Sequence, residues 1–112
     1  MGLSSKREKS LEAALQRAGL SVGTRLTLPM AHGDVTETSL WHLRAAGGGA
    51  VTLCLVTEVG FDSFFPPILR AVPGHLGADA AREAAGVEFP WDDGDTAGLL
   101  AFVARVAADH RA

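Results

Sequence analysis

The chain is short of several residue types, and each shortage excludes something. Cys54 is the only cysteine, so no disulfide forms within the chain. A single thiol fits a reducing compartment, and the expected location is the cytoplasm. Asparagine and tyrosine are absent, lysine is limited to Lys6 and Lys9, and Ile68 is the lone isoleucine, while alanine, glycine and arginine abound. That bias resembles GC-rich bacterial coding. Positive charge is also in deficit: ten Lys and Arg against thirteen Asp and Glu leave a net charge of −3. A dedicated phosphate-backbone binder needs clustered positive charge, so nucleic acid is not an expected partner. Lys6, Arg7 and Lys9 are the only local basic cluster, interrupted by Glu8 and Glu12. Contact with nucleic acid through Lys6, Arg7, Lys9 and Arg17 would have to be strongly salt-sensitive. Long apolar runs are missing too. The longest charge-free stretch is broken by Gly and Pro, and the first ten residues lack the apolar segment of a secretory signal, so no membrane partner is expected.

What is present reads as one globular domain over residues 1–112. The composition is 47% apolar and 21% charged, and a chain of 112 residues buries about two-thirds of its unfolded surface. The clearest element is the last helix. Asp95 is a good N-cap, and Leu99, Phe102, Val103 and Val106 recur on one helical face. Ala97, Ala101, Ala104 and Ala108 form a second, uncharged face, and Arg105, Asp109 and Arg111 are the only charges after Asp95. A helix covering one core normally turns charge outward. A second surface, from the same chain or another copy, is therefore expected against the alanines.

The first helix opens on a Ser5-x-x-Glu8 capping box. It carries Leu11, Ala14, Leu15 and Ala18 as its stripe and ends at Gly19, with Leu20 placed for a Schellman contact to Leu15. Three basic residues in its first turn oppose the helix dipole, a small conflict that hints at a partner there. From Thr24 the period becomes two: Thr24, Leu26, Leu28 and Met30 share one side of a half-buried strand, which Pro29 places at an edge. Ala50 to Val59 is near-continuously apolar, the pattern of a strand covered on both faces. Residues 35–46 fit two readings. As a strand, Ser39, Trp41, Leu43 and Ala45 face one way, and Gly47-Gly48-Gly49 turns into the Ala50 strand. As a helix, Asp34 and Glu37 form a capping box. The poor helix propensity of Val35 to Ser39 favours the strand. Farther on, Pro66 or Pro67 is expected to open a short helix over Ile68 to Ala71, broken by Pro73-Gly74. Ala78 to Ala85 is expected as a second short helix ended by Gly86, and Val87-Glu88-Phe89 as a brief extended piece. The fold class expected is α+β: a small three-stranded antiparallel sheet packed by the N-terminal and C-terminal helices. The alternative is a βαβ unit with its helix at 35–46.

Candidate chemistry is thin. Asp92, Asp93 and Asp95 around Gly94 offer oxygen ligands for Ca²⁺ or Mg²⁺, but the spacing is not that of an EF-hand, and capping alone favours acids before a helix. Five of the seven aromatic residues lie between Phe61 and Trp91. Phe61, Phe64, Phe65 and Trp91 either line a contact patch or form a mini-core under this irregular segment. His32-Gly33-Asp34 pairs an imidazole with a carboxylate, yet neither Ser63 nor Cys54 sits in a nucleophile elbow, and the tripeptide is an ordinary turn. Cys54 between Leu53 and Leu55 reads as a small buried hydrophobe with a raised thiol pKa. His42, His75 and His110 share no metal-ligand spacing. A glycine run before a strand is the wrong order for a phosphate cradle. The expected function is therefore a non-enzymatic binding or protein-interaction module, with no cofactor and no metal. It would be a homo-oligomer or bind a protein partner through the alanine face or through Phe61, Phe64, Phe65, Trp91, Asp92 and Asp93. The alternative is a small enzyme or ligand-binding domain using His32, Asp34 and Asp62 or the acidic loop 92–95.

Overall fold

The computed structural model describes residues 5–28, 36–58, 67–92 and 95–110. Within them the order is α1 (Ser5–Arg17), β1 (Ser21–Thr27), β2 (Thr36–Arg44), β3 (Ala50–Glu58), β4 (Ile68–Pro73), α2 (Ala78–Glu83), β5 (Val87–Pro90) and α3 (Thr96–Asp109). The strands make one sheet in chain order, β1-β2-β3-β4-β5, with every neighbour antiparallel. The class is α+β as expected, but the sheet has five strands where three were expected. The βαβ alternative is excluded by β2, which occupies most of 35–46 as a strand and pairs over nine positions with β3.

The main correction is at Ile68 to Ala71, expected as a short helix and found as β4. Its alternation explains this. Leu69 and Ala71 are buried in the main core, and Arg70 points to the other face beside Cys54, its cross-strand partner. β5 adds the fifth strand and carries the expected Val87-Glu88-Phe89 extension. β3 is central and nearly buried throughout, as its apolar run implies. β1 lies at an edge, as expected, but is far more exposed than a half-buried strand. Leu26 stays 42% exposed, and the register slips between Val22 and Arg25. Pro29 and Met30 fall outside the described residues.

One face of the sheet carries the main core. Trp41, Leu43, Val51, Leu53, Leu55 and Leu69 pack with Leu11 and Leu15 of α1 and with Leu99, Phe102, Val103 and Val106 of α3. Each such side chain contributes about 1.5–3 kcal/mol on burial. Phe89 stacks on Phe102 with ring centroids 5.4 Å apart, which ties β5 to α3. On the opposite face Leu40, Cys54 and Ala81 form a smaller cluster with Leu28 and Leu76, under α2.

The helix ends follow local chemistry. Gly19 takes φ +81°, Leu20 N–H donates to Leu15 O at 2.9 Å and Gly19 N–H to Gln16 O at 3.0 Å, the paired bonds of a Schellman motif. The Ser5 side chain lies outside the described residues. Asp95 caps α3 by accepting from Gly98 N–H at 3.0 Å. The alanine stripe of α3, Ala97, Ala101, Ala104 and Ala108, is exposed. A covering surface from the described part of the chain, expected from the stripe, is not found.

Candidate functional site

α1 and α3 lie side by side on the main face of the sheet, and the gap between them is a groove of about 600 Å³. Its α1 wall is one helical face: Lys6, Ser10, Ala13, Ala14 and Arg17 follow one another at steps of four, three, one and three residues. Thr96, Leu99 and Leu100 supply the α3 wall, and Trp91 closes the end where the chain leaves β5. The floor is apolar and built partly of alanine, so a third element can approach closely.

The charge on α1 is sorted by direction. Arg25 of β1 draws the acids to the far side of the helix, with Nη2 2.7 Å from Glu12 Oε1 and Nη1 3.4 Å from Glu8 Oε1. The same guanidinium lies 4.2 Å from the Trp41 ring, which fixes it over the core. Lys6, Arg7 and Arg17 remain on the groove side, and no acid lines it among the described residues. A chain of net charge −3 therefore presents a cationic cleft. Arg7 holds the closed end: its guanidinium sits 5.1 Å from the Trp91 ring, and Nη1 donates to Trp91 O at 3.1 Å. Lys6 and Arg17 are exposed and make no ion pair among the described residues.

Of the residues singled out as a contact patch, Trp91 is 5% exposed and belongs to the main core, and Asp92 is exposed. Phe61, Phe64, Phe65 and Asp93 lie outside the described residues, as do His32, Asp34 and Asp62. Asp95 is engaged as the α3 cap. Among the described residues no three of His, Cys, Asp and Glu are placed to hold a metal ion. Cys54 is buried, and burial pushes its thiol pKa up against the opposing charge and hydrogen bond of Arg70. No described helix is long and apolar enough to cross a membrane.

Sequence reasoning missed a pair of imidazoles. His42 and His75 stack with centroids 4.9 Å apart. Nε2 of His42 bonds Leu76 O at 2.9 Å, and Nε2 of His75 bonds Leu43 O at 2.8 Å. A carbonyl only accepts, so both Nε2 atoms carry the proton. Thr52 Oγ1 donates to Gly74 O at 2.7 Å and accepts from Leu76 N–H at 2.8 Å. The two rings thus pin the turn after β4 onto β2 and β3. No local motif joins residues 33 positions apart, and only the sheet register brings them together.

Set against family models, curated proteins and solved structures, the chain matches none.

Proposed function

We propose that the protein is a non-enzymatic interaction module that docks a protein partner in the groove between α1 and α3. The observation that supports this is the groove itself, an apolar floor flanked by Lys6, Arg7 and Arg17 with no acid in the lining among the described residues. A volume of about 600 Å³ is ample for side chains of a partner. Several described titratable groups have structural roles instead: Asp95 caps a helix, His42 and His75 hold a turn, and Cys54 is buried.

Selection of displayed random peptides against the folded protein tests the reading. Ala13 is exposed in the groove wall, so Ala13→Trp fills the cleft without entering the core. Selected peptides should lose Ala13→Trp and keep Ile68→Thr, a change at an exposed position on the opposite sheet face. Peptides that bind both variants equally overturn the assignment.

The exposed, uncharged alanine stripe of α3 supports a second reading, self-association through that face. It requires a mass that rises with concentration in sedimentation and falls back for Ala101→Arg. A monomer at high concentration removes it.

A further inference from the structure

We infer that the partner segment seated in this groove is an amphipathic helix with acidic residues about eleven positions apart on its groove-facing side and small apolar residues between them. This rests on the docking reading above and names its occupant. Lys6 and Arg17 stand at the two ends of the α1 wall, eleven residues apart, which is about 16 Å along a helix axis. Neither has an ion-pair partner among the described residues, and both are exposed. Between them the wall is Ser10, Ala13 and Ala14, and Ser10 Oγ is already turned back to Lys6 O at 3.1 Å. A small-residue wall beside Leu99 and Leu100 suits the close approach of a third helix, whose own small residues would sit over the alanines. Three turns of that helix match the distance between the cations, so acids at both ends of the contact meet Lys6 and Arg17 together.

Charge decides against the other occupants. A second copy placed symmetrically would set Lys6, Arg7 and Arg17 against the same three cations. A second copy presenting α3 brings one acid, Asp109, which is held by its own Arg105 at 3.6 Å. One presenting α1 brings Glu8 and Glu12, both engaged by Arg25. A nucleic acid would use the cations but leave the apolar floor unused, on a chain whose net charge is −3.

The probe is a synthetic helical peptide carrying two glutamates eleven positions apart, with alanine and leucine between them on the same face. Its control has the same composition with the glutamates moved to the opposite face. Fluorescence anisotropy against the full chain should show binding of the first peptide, weakening with added salt, and about tenfold weaker binding of the control. Lys6→Glu with Arg17→Glu should lose the first peptide by a similar factor and gain a version in which lysines replace the glutamates. Both positions are exposed, and an unchanged thermal melt shows that this variant folds. Equal binding of the two peptides overturns the inference, as does indifference to the charge reversal. Binding of a short RNA or of a second copy in place of both peptides also overturns it. If display selects groove-dependent peptides that are not acidic helices, this inference fails while the docking reading stands. If no selected peptide depends on the groove, both fail.

Discussion

At the scale of single residues, Cys54 shows how burial becomes a pH dependence. Its thiol is held in the protonated form by desolvation, only partly offset by Arg70, so its native pKa lies above that of an unfolded thiol, about 8.5. Above that pH the unfolded chain releases a proton that the native chain retains. Fewer protons are bound in the unfolded state, and stability must fall as pH rises. The contribution is fully present below the unfolded value and lost as pH climbs through the native one. Urea midpoints measured between about pH 8 and about pH 10 should therefore drop for the native sequence and drop less for Cys54→Ala. The absence of tyrosine removes one competing titration from this range. Gly86 gives a second expectation at this scale. A Cβ there would collide with the Ala71 carbonyl oxygen and with the Val72 side chain, whereas one at Gly77 meets nothing within 4 Å. Gly86→Ala should cost about 1–3 kcal/mol in urea denaturation, because β4 must move to admit the methyl. Gly77 is the N-cap of α2 with φ −83°, so Gly77→Ala meets no clash and should cost less than about 1 kcal/mol, the loss of a residue favoured at that position. A tolerated Gly86→Ala would show that the passage between α2 and β5 is looser than this contact requires.

At the scale of elements, the helices, β1 and β3 were legible because their signals are local. Residues 35–46 fitted both a strand and a helix, with propensity favouring the strand. Gly19 ends α1, Asp95 opens α3, and the β2–β3 hairpin turns at Gly48 with φ +97°. β4 was not legible. The prolines at 66 and 67 make a plausible helix opening, and Ile68 to Val72 is too short for either period to dominate. Only pairing with β3, which puts Leu69 opposite Leu55 and Arg70 opposite Cys54, decides for the strand. The groove was half legible. The basic first turn of α1 hinted at a partner, but the diversion of Glu8 and Glu12 toward Arg25 depends on β1 folding back along α1. Arg70 carries the element-scale prediction. It donates through Nη1 to Ala84 O at 3.0 Å and through Nη2 to Ala81 O, so a strand side chain supplies the C-terminal cap of α2. α2 has only six residues and no side-chain N-cap, so this cap and the packing of Ala81 against Leu40 and Cys54 hold it together. Arg70→Met should leave those carbonyls unsatisfied and cost about 1.5–3 kcal/mol. Amide exchange should accelerate in α2 first, and Cys54 should label faster with a thiol reagent. Unchanged exchange in α2 would mean that the guanidinium is incidental to the helix.

At the scale of the whole molecule, the chain closes on itself: α1 and α3, from opposite ends of the described residues, pack together over the same sheet face. The groove is a product of that closure and belongs to neither helix alone. The closure also decides stability. Leu99, Phe102, Val103 and Val106 are all buried against the sheet, and at about 1.5–3 kcal/mol each they supply about 6–12 kcal/mol of burial. That equals most or all of the net stability of a typical domain, about 5–15 kcal/mol. The sheet cannot compensate, because without α3 the core residues Leu55 and Leu69 and the Phe89 ring stacked on Phe102 lose cover on that face. A chain ended after Asp95 should therefore lose cooperative unfolding, near-ultraviolet circular dichroism and groove binding in one step. The smaller cluster of Leu40, Cys54 and Ala81 is too limited to sustain a folded remnant. Full retention of a sharp urea transition by the truncated chain would show instead that the meander and α1 form an independent unit. α3 would then be an added layer, and the groove a feature that could be removed without unfolding the rest.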